Sequence, residues 1–318
     1  MNILQQILQV LLSPSGDVWR STLQYGTLLL LPALGGVISE RSGVVNIAME
    51  GMMLTGAFFA VVADLAWHSA LLGTLVAIVA GGLMATIHAV VSIRYKADQI
   101  VSGIAINIIA VGLTVFLLNS IYGQADIGHV DRQNLLPTVA VPLLDKIPWL
   151  GNVLFNQNII VYLALIILVV VQIFLFRTRL GLRLRAVGEH PSAADTAGIN
   201  VYRIRYGAVI MSGLLSGLAG AFLSIGLSNS FVNNMTEGRG YIALAAMIFG
   251  KWTPIGAFIA CLIFGLGQAV YDNNSFISVS PYFLSMLPYI LTLVVLAGLV
   301  GKSTPPAADG LPYEPGGE

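Results

Sequence analysis

The sequence predicts an all-α, polytopic helical membrane protein with about nine transmembrane helices (eight to ten), the N-terminus outside and the C-terminus cytoplasmic. Three observations carry this reading. Of 318 residues, 57% are hydrophobic and only 9% are charged, against roughly 25% charged in a soluble domain. Apolar stretches of about 20 residues, the length that crosses a bilayer, recur along the chain. Six of the fifteen basic residues (Arg177, Arg179, Arg183, Arg185, Arg203 and Arg205) fall in one loop, and such loops stay in the cytoplasm.

The elements follow in order. Residues 1–20 form an N-terminal interfacial segment, with Leu4, Ile7, Leu8 and Leu11 at helical spacing. No basic residue precedes Arg20, so a cleavable signal peptide is not expected. Residues 21–301 form one membrane domain. Its clear spans are 21–39, 44–63, 69–93, 99–122, 159–176, 204–228, 255–271 and 282–300. Residues 241–250 are shorter and read as a short span or a re-entrant half-helix. Counting outward from the arginine-rich loop 177–205 places Arg41, Arg94, Lys96, Lys251 and Lys302 inside. The parity therefore agrees with the charges, Arg239 being the exception. The loop 122–158 lies outside; it carries Pro137, Pro142 and Pro148, and its amphipathic Ile147-Pro148-Trp149-Leu150 suits a cap on the outer membrane surface. Residues 302–318, rich in Pro, Gly and acidic residues, are expected to be a disordered cytoplasmic tail.

The chemistry available is limited. Basic and acidic residues balance at 15 each, so nothing points to nucleic acid, and none is expected as a partner. The lone cysteine, Cys261, sits in an apolar run and has no internal disulfide partner. The four histidines, His68, His88, His129 and His190, show no metal-ligand spacing, so no metal site is expected. Gly301, Lys302 and Ser303 match the end of a phosphate-binding loop, but Leu296 stands where the motif requires glycine. This chain is expected to bind no cofactor; any ATP belongs to a partner.

Glu50 is a carboxylate inside a span, roughly 10 Å from the cytoplasmic end at about 1.5 Å per residue. A charge there faces the bundle interior or a wet cavity. Asn46 shares its helix face, Gln99 opens the fourth span, and Asn107 lies deeper in it. These four are the candidates for a substrate path. The competing reading is structural: Glu50 ties its helix to a neighbour, with Asn107 in reach. Asp98 reads as an N-cap. Ser212, Gly213, Ser216, Gly217, Gly220 and Ser224 form a stripe of small residues that allows close helix packing, within the chain or against a second subunit.

Family resemblance enters at the cytoplasmic loop. Residues 179–198 (RLGLRLRAVGEHPSAADTAG) resemble the coupling-helix loop of ATP-binding-cassette import permeases, nearest the branched-chain amino acid, simple sugar and nucleoside group. Residues 40–51 (ERSGVVNIAMEG), 97–103 (ADQIVSG) and 238–252 (GRGYIALAAMIFGKW) look like the branch that works with basic-membrane-protein receptors on nucleosides. The short outer regions look like the second of two unlike permeases. The match runs from about Leu23 to Asn273.

The resemblance implies a multi-pass permease of the bacterial cytoplasmic membrane, surrounded by lipid, working by alternating access. It implies an ATP-binding cassette subunit, a second related permease and a substrate-binding lipoprotein as partners. Gly188, Glu189, Pro191, Ala193, Ala194 and Gly198 would make the coupling contact. Pro191 suits a helix start and Gly198 its end. Nucleosides are the expected solute and simple sugars the next. An ion-coupled secondary transporter using Glu50 is the reading from a different class.

Overall fold

Lipid offers backbone amides no partners, so apolar stretches of this length fold as helices. The computed structural model describes residues 16–123, 126–127, 135–142, 144–145, 147, 149–272, 286, 290 and 304–315. In chain order the helices are α1 (Asp17–Glu40), α2 (Met49–Trp67), α3 (Ala70–Ala89, continued by a wide turn Val90–Arg94) and α4 (Gln99–Tyr122). After β1 (Asp126–Ile127) and β2 (Thr138–Ala140) come α5 (Leu150–Leu154), β3 (Asn156–Asn158), α6 (Ile159–Arg177), α7 (Arg179–Glu189) and α8 (Pro191–Thr196). The remainder is α9 (Val201–Ala221, extended by Phe222–Ser228), β4 (Phe231–Val232), α10 (Arg239–Phe249) and α11 (Pro254–Asp272).

Among the described residues seven helices are long and apolar enough to cross a membrane: α1, α2, α3, α4, α6, α9 and α11. The expected span 282–300 lies outside the described residues, apart from isolated positions, as does the N-terminal stretch before Gly16. α10, at 11 residues, is the half-length helix that the sequence suggested.

α1, α2 and α9 are the most buried helices, while α4 and α6 are the least. Small residues explain the centre. Ser212 and Gly213 lie against Gly35 and Gly81, and Gly217 lies against Gly56 and Ala77. Gly220 meets Met53 and Ala57 of α2. A methyl group at Gly81 would overlap the Gly213 carbonyl. Ser216 and Ser224 are also fully buried. The stripe therefore packs within the chain, against α1, α2 and α3.

The two ends of the bundle differ in kind. One end carries paired strands, β1 with β4 and β2 with β3, and the Asp17–Asn152 hydrogen bond of 3.1 Å. The other gathers basic residues. Arg41 donates to the carbonyls of Trp252 and Lys251, and Gly188 sits against Arg41.

The tail departs from expectation. Residues 304–315 lie folded onto the basic end instead of forming a disordered tail. The Ala308 amide donates to the Gly188 carbonyl at 2.9 Å, and Arg205 Nη1 donates to the Leu311 carbonyl at 2.9 Å. Lys96 pairs with Glu314 at 2.6 Å. Tyr313 is buried among Val187, Ala194 and Val201, edge-to-face with Tyr202. Composition predicted disorder because Pro and Gly outnumber apolar residues; two well-placed apolar side chains, Ala308 and Tyr313, and the contacts with Gly188, Arg205 and Lys96 outweigh that.

Candidate functional site

The site begins where a helix fails to form. Residues 44–48 were expected to be helical, yet α2 starts only at Met49. Gly43, at φ +87°, turns the chain after α1, where a side chain would meet Arg205 and the Ala308 carbonyl. The backbone between is satisfied by side chains. Gln99 Oε1 accepts from the Val45 amide at 2.7 Å, and His88 Nε2 donates to the Val45 carbonyl at 3.1 Å. Asn107 Nδ2 donates to the Ile47 carbonyl at 3.1 Å, while its Oδ1 accepts from the Gly51 amide at 2.8 Å. Asn46 Oδ1 accepts from the Ala48 amide at 3.1 Å, and its Nδ2 donates to Ser212 Oγ at 2.8 Å. Non-helical backbone at membrane depth survives only with such partners.

Glu50 faces a second break. Its two carboxylate oxygens accept the amides of Gly238 and Gly240, at 2.9 and 2.6 Å. These amides open α10, so the carboxylate meets the positive end of that helix. Gly240 is needed for the approach: a Cβ there would lie 2.5 Å from Glu50 Cα. Asn107 Nδ2 also donates to the Tyr241 hydroxyl at 2.9 Å.

The four path candidates, Asn46, Glu50, Gln99 and Asn107, are thus brought together around the start of α2. All four are buried and hydrogen-bonded within the chain. Their visible work is to brace the α2 and α10 breaks. His88 belongs to the same brace, with Nδ1 3.0 Å from Ser102 Oγ. Its isolation in the sequence gave no signal for this role. Asp98 caps α4, accepting from the amides of Ile100 and Val101 at 2.9 Å each.

The coupling candidates divide. Pro191 opens α8, and Gly198, at φ +79°, follows its end. Glu189, Ala193 and Gly198 are exposed. Gly188 and Ala194 face inward: Gly188 holds Ala308, and Ala194 is 4% exposed beneath Tyr313. The mid-segment Ala194 is therefore occupied by the tail, which composition alone did not reveal. α7, amphipathic and carrying Arg179, Arg183 and Arg185, precedes α8 as a second helix in the loop.

Comparison with known proteins places this geometry. The family described as the branched-chain amino acid transport system / permease component matches residues 20–296. The guanosine ABC transporter permease NupQ of Bacillus subtilis is 43% identical over 92% of this chain and 95% of its own length. The nucleoside ABC transporter permease NupC of Lactococcus lactis is 42% identical, covering 91% and 94%. A second nucleoside permease of that organism, NupB, is 26% identical, covering 78% and 70%. An ABC transporter solved in an inward-facing conformation shares the fold, with a TM-score of 0.51, 16% identity, and coverage of 94% of this chain and 90% of its own. The chain is a membrane permease subunit and belongs to the branched-chain amino acid transport system permease family.

Proposed function

We propose that this permease imports nucleosides, driven by ATP hydrolysed on a partner subunit. The observation that carries the reading is identity of 42–43% over more than nine-tenths of the chain to permeases named for guanosine and nucleosides. Lactococcus lactis has both a close and a more distant nucleoside permease among the relatives, which supports pairing with a second, unlike permease. An ATP-binding cassette subunit and a substrate-binding lipoprotein complete the assembly. The basic end is cytoplasmic by the positive-inside rule; the seven long helices, α10 and the expected span 282–300 make nine crossings, with an outer N-terminus and an inner C-terminus in a bacterial cytoplasmic membrane. The exposed side of α8 (Ala193 and the Pro191–Gly198 turn) makes the coupling contact, and the braced breaks at α2 and α10 border the solute path.

The experiment is the ATPase rate of the reconstituted complex, with and without nucleoside-loaded binding protein. Stimulation by the loaded receptor supports the reading. Nucleoside accumulation by this chain alone under an ion gradient, without ATP, would replace it with a secondary transporter.

A further inference from the structure

Resting on that reading, the solute-facing wall can be located. The segment between β4 and α10 descends through the membrane without being a helix. Phe231 packs on Phe58 of α2, with ring centroids 5.2 Å apart. Gly238 is held by Glu50. Glu50 and Phe58 lie on one helix, so the segment drops about 12 Å at about 1.5 Å per residue. α10 then runs from Arg239 to Phe249 and reaches the basic end at Lys251 and Trp252. Its 11 residues cover roughly 16 Å. Arg239 therefore sits near the middle of a hydrocarbon layer of about 30 Å. α1 gives a similar depth: Arg239 and Ile242 line one small cavity with Tyr25, Leu28 and Leu29, in the middle third of Asp17–Glu40.

At this depth the segment presents polar side chains outward. Asn233 and Asn234 are exposed, and the Glu237 side chain is 71% exposed. Arg239, 3.4 Å from Glu237, is mostly buried and donates to the Met235 carbonyl. Tyr241 is 43% exposed, with its hydroxyl anchored by Asn107. An exposed carboxylate and irregular backbone at mid-membrane cannot face lipid. Asn234 and Glu237 also adopt left-handed backbone, at φ +55° and +47°; asparagine tolerates this in a turn, whereas glutamate keeps it only where the surroundings hold it.

We propose that Asn233, Asn234, Glu237 and Tyr241 form a wall of the aqueous solute path, with Tyr241 stacking on the nucleobase and Glu237 accepting hydrogen bonds from the ribose hydroxyls. A nucleoside offers an aromatic face and two vicinal donors, and this wall offers a fixed ring in α10 and an acceptor just before the start of that helix. Asn107 and Glu50 then act as positioning residues: one holds the Tyr241 hydroxyl, the other the start of α10.

The test uses the complex reconstituted with its partners. The native Cys261 is fully buried and gives a silent background. Glu237→Cys and Tyr241→Cys are treated with a permanently charged methanethiosulfonate, with and without guanosine. Val169→Cys, on the exposed side of α6, is the lipid-facing control. Both wall positions should react, guanosine should slow them several-fold, and Val169→Cys should stay unmodified. Tyr241→Ala should raise the KM for guanosine uptake about tenfold, as loss of one base–aromatic stack implies, and Tyr241→Phe should rescue most of it. Absence of reaction at both cysteines means that a partner or lipid covers the face, and overturns the proposal. So does reaction unaffected by guanosine together with a parental KM in Tyr241→Ala. Cysteine variants that label at both positions, beside a parent complex that imports no nucleoside, would sink the proposed solute while leaving the wall aqueous.

Discussion

Two junctions hold this chain together, and they are built differently. Inside the membrane, the breaks at α2 and α10 are closed by polar side chains: Glu50 on two amides, Asn107 on three groups, Gln99 and His88 on Val45. At the basic end, the C-terminal segment is held on α7, α8 and α9 by one backbone hydrogen bond to Gly188, by contacts with the Glu189, Arg205 and Lys96 side chains, and by a small apolar cluster under Tyr313. The difference follows from the solvent. In hydrocarbon an unpaired amide has no alternative partner, so side chains must supply one. In water the competing hydrogen bond is always available, and each contact contributes little.

The comparison predicts unequal sensitivity. The largest effect is expected at Glu50. Glu50→Ala leaves two amides at α10 unpaired, each worth about 1–3 kcal/mol. The purified variant should lose several degrees of melting temperature and most uptake, and Glu50→Gln, which keeps one acceptor, should lose less. Equal melting temperatures for parent and Glu50→Ala would show that the α10 amides find other partners. Gly240→Ala should approach Glu50→Ala in effect, because its methyl group would overlap Glu50 backbone; a parental uptake rate would show that α10 can shift.

The basic end should respond more mildly, and its two alanines should separate. Ala194→Glu puts a charge beneath Tyr313 and should release the tail, seen as faster proteolysis between residues 304 and 315. Ala193→Glu, on the exposed side, should leave the tail protected but lower solute-stimulated ATPase activity and co-purification of the ATP-binding subunit. If both variants behave alike in both assays, the tail and the coupling surface are one unit.

The smallest effect concerns pH. Burial raises the Asp309 carboxyl to about 7, an effect that the Gly310 amide and the nearby Arg205 and Glu40 only partly offset. The docked tail thus holds a proton that the released tail gives up above its ordinary pKa of about 4. Docking should weaken steadily as pH rises from about 4 to 7, then level off. Asp309→Asn should flatten that profile, read by protease protection; an unchanged slope would assign it to Glu40 instead.

What the sequence revealed follows the same division. Glu50 and Asn107 stood out because polar groups in apolar runs are costly and therefore placed for a reason. Their role as a brace was one of two readings left open, since the α10 partner lies 188 residues from Glu50 along the chain. The α10 half-helix was legible from its length, and α8 from Pro191 and Gly198. The tail was not, because its docking depends on surfaces created by α7, α8 and α9, with Tyr313 and Ala308 as isolated apolar residues in a polar stretch. The break at residues 44–48 was hidden too: Val44, Val45, Ile47 and Ala48 are apolar enough to continue a helix, and only tertiary partners stop them.

The most direct measurement is guanosine uptake into proteoliposomes by the full complex, with ATP inside, beside the same lipid containing this chain alone. The account predicts ATP-dependent accumulation by the complex and none by the chain, with or without an ion gradient. Uptake by the chain alone, or a complex that hydrolyses ATP yet moves no nucleoside, would contradict it.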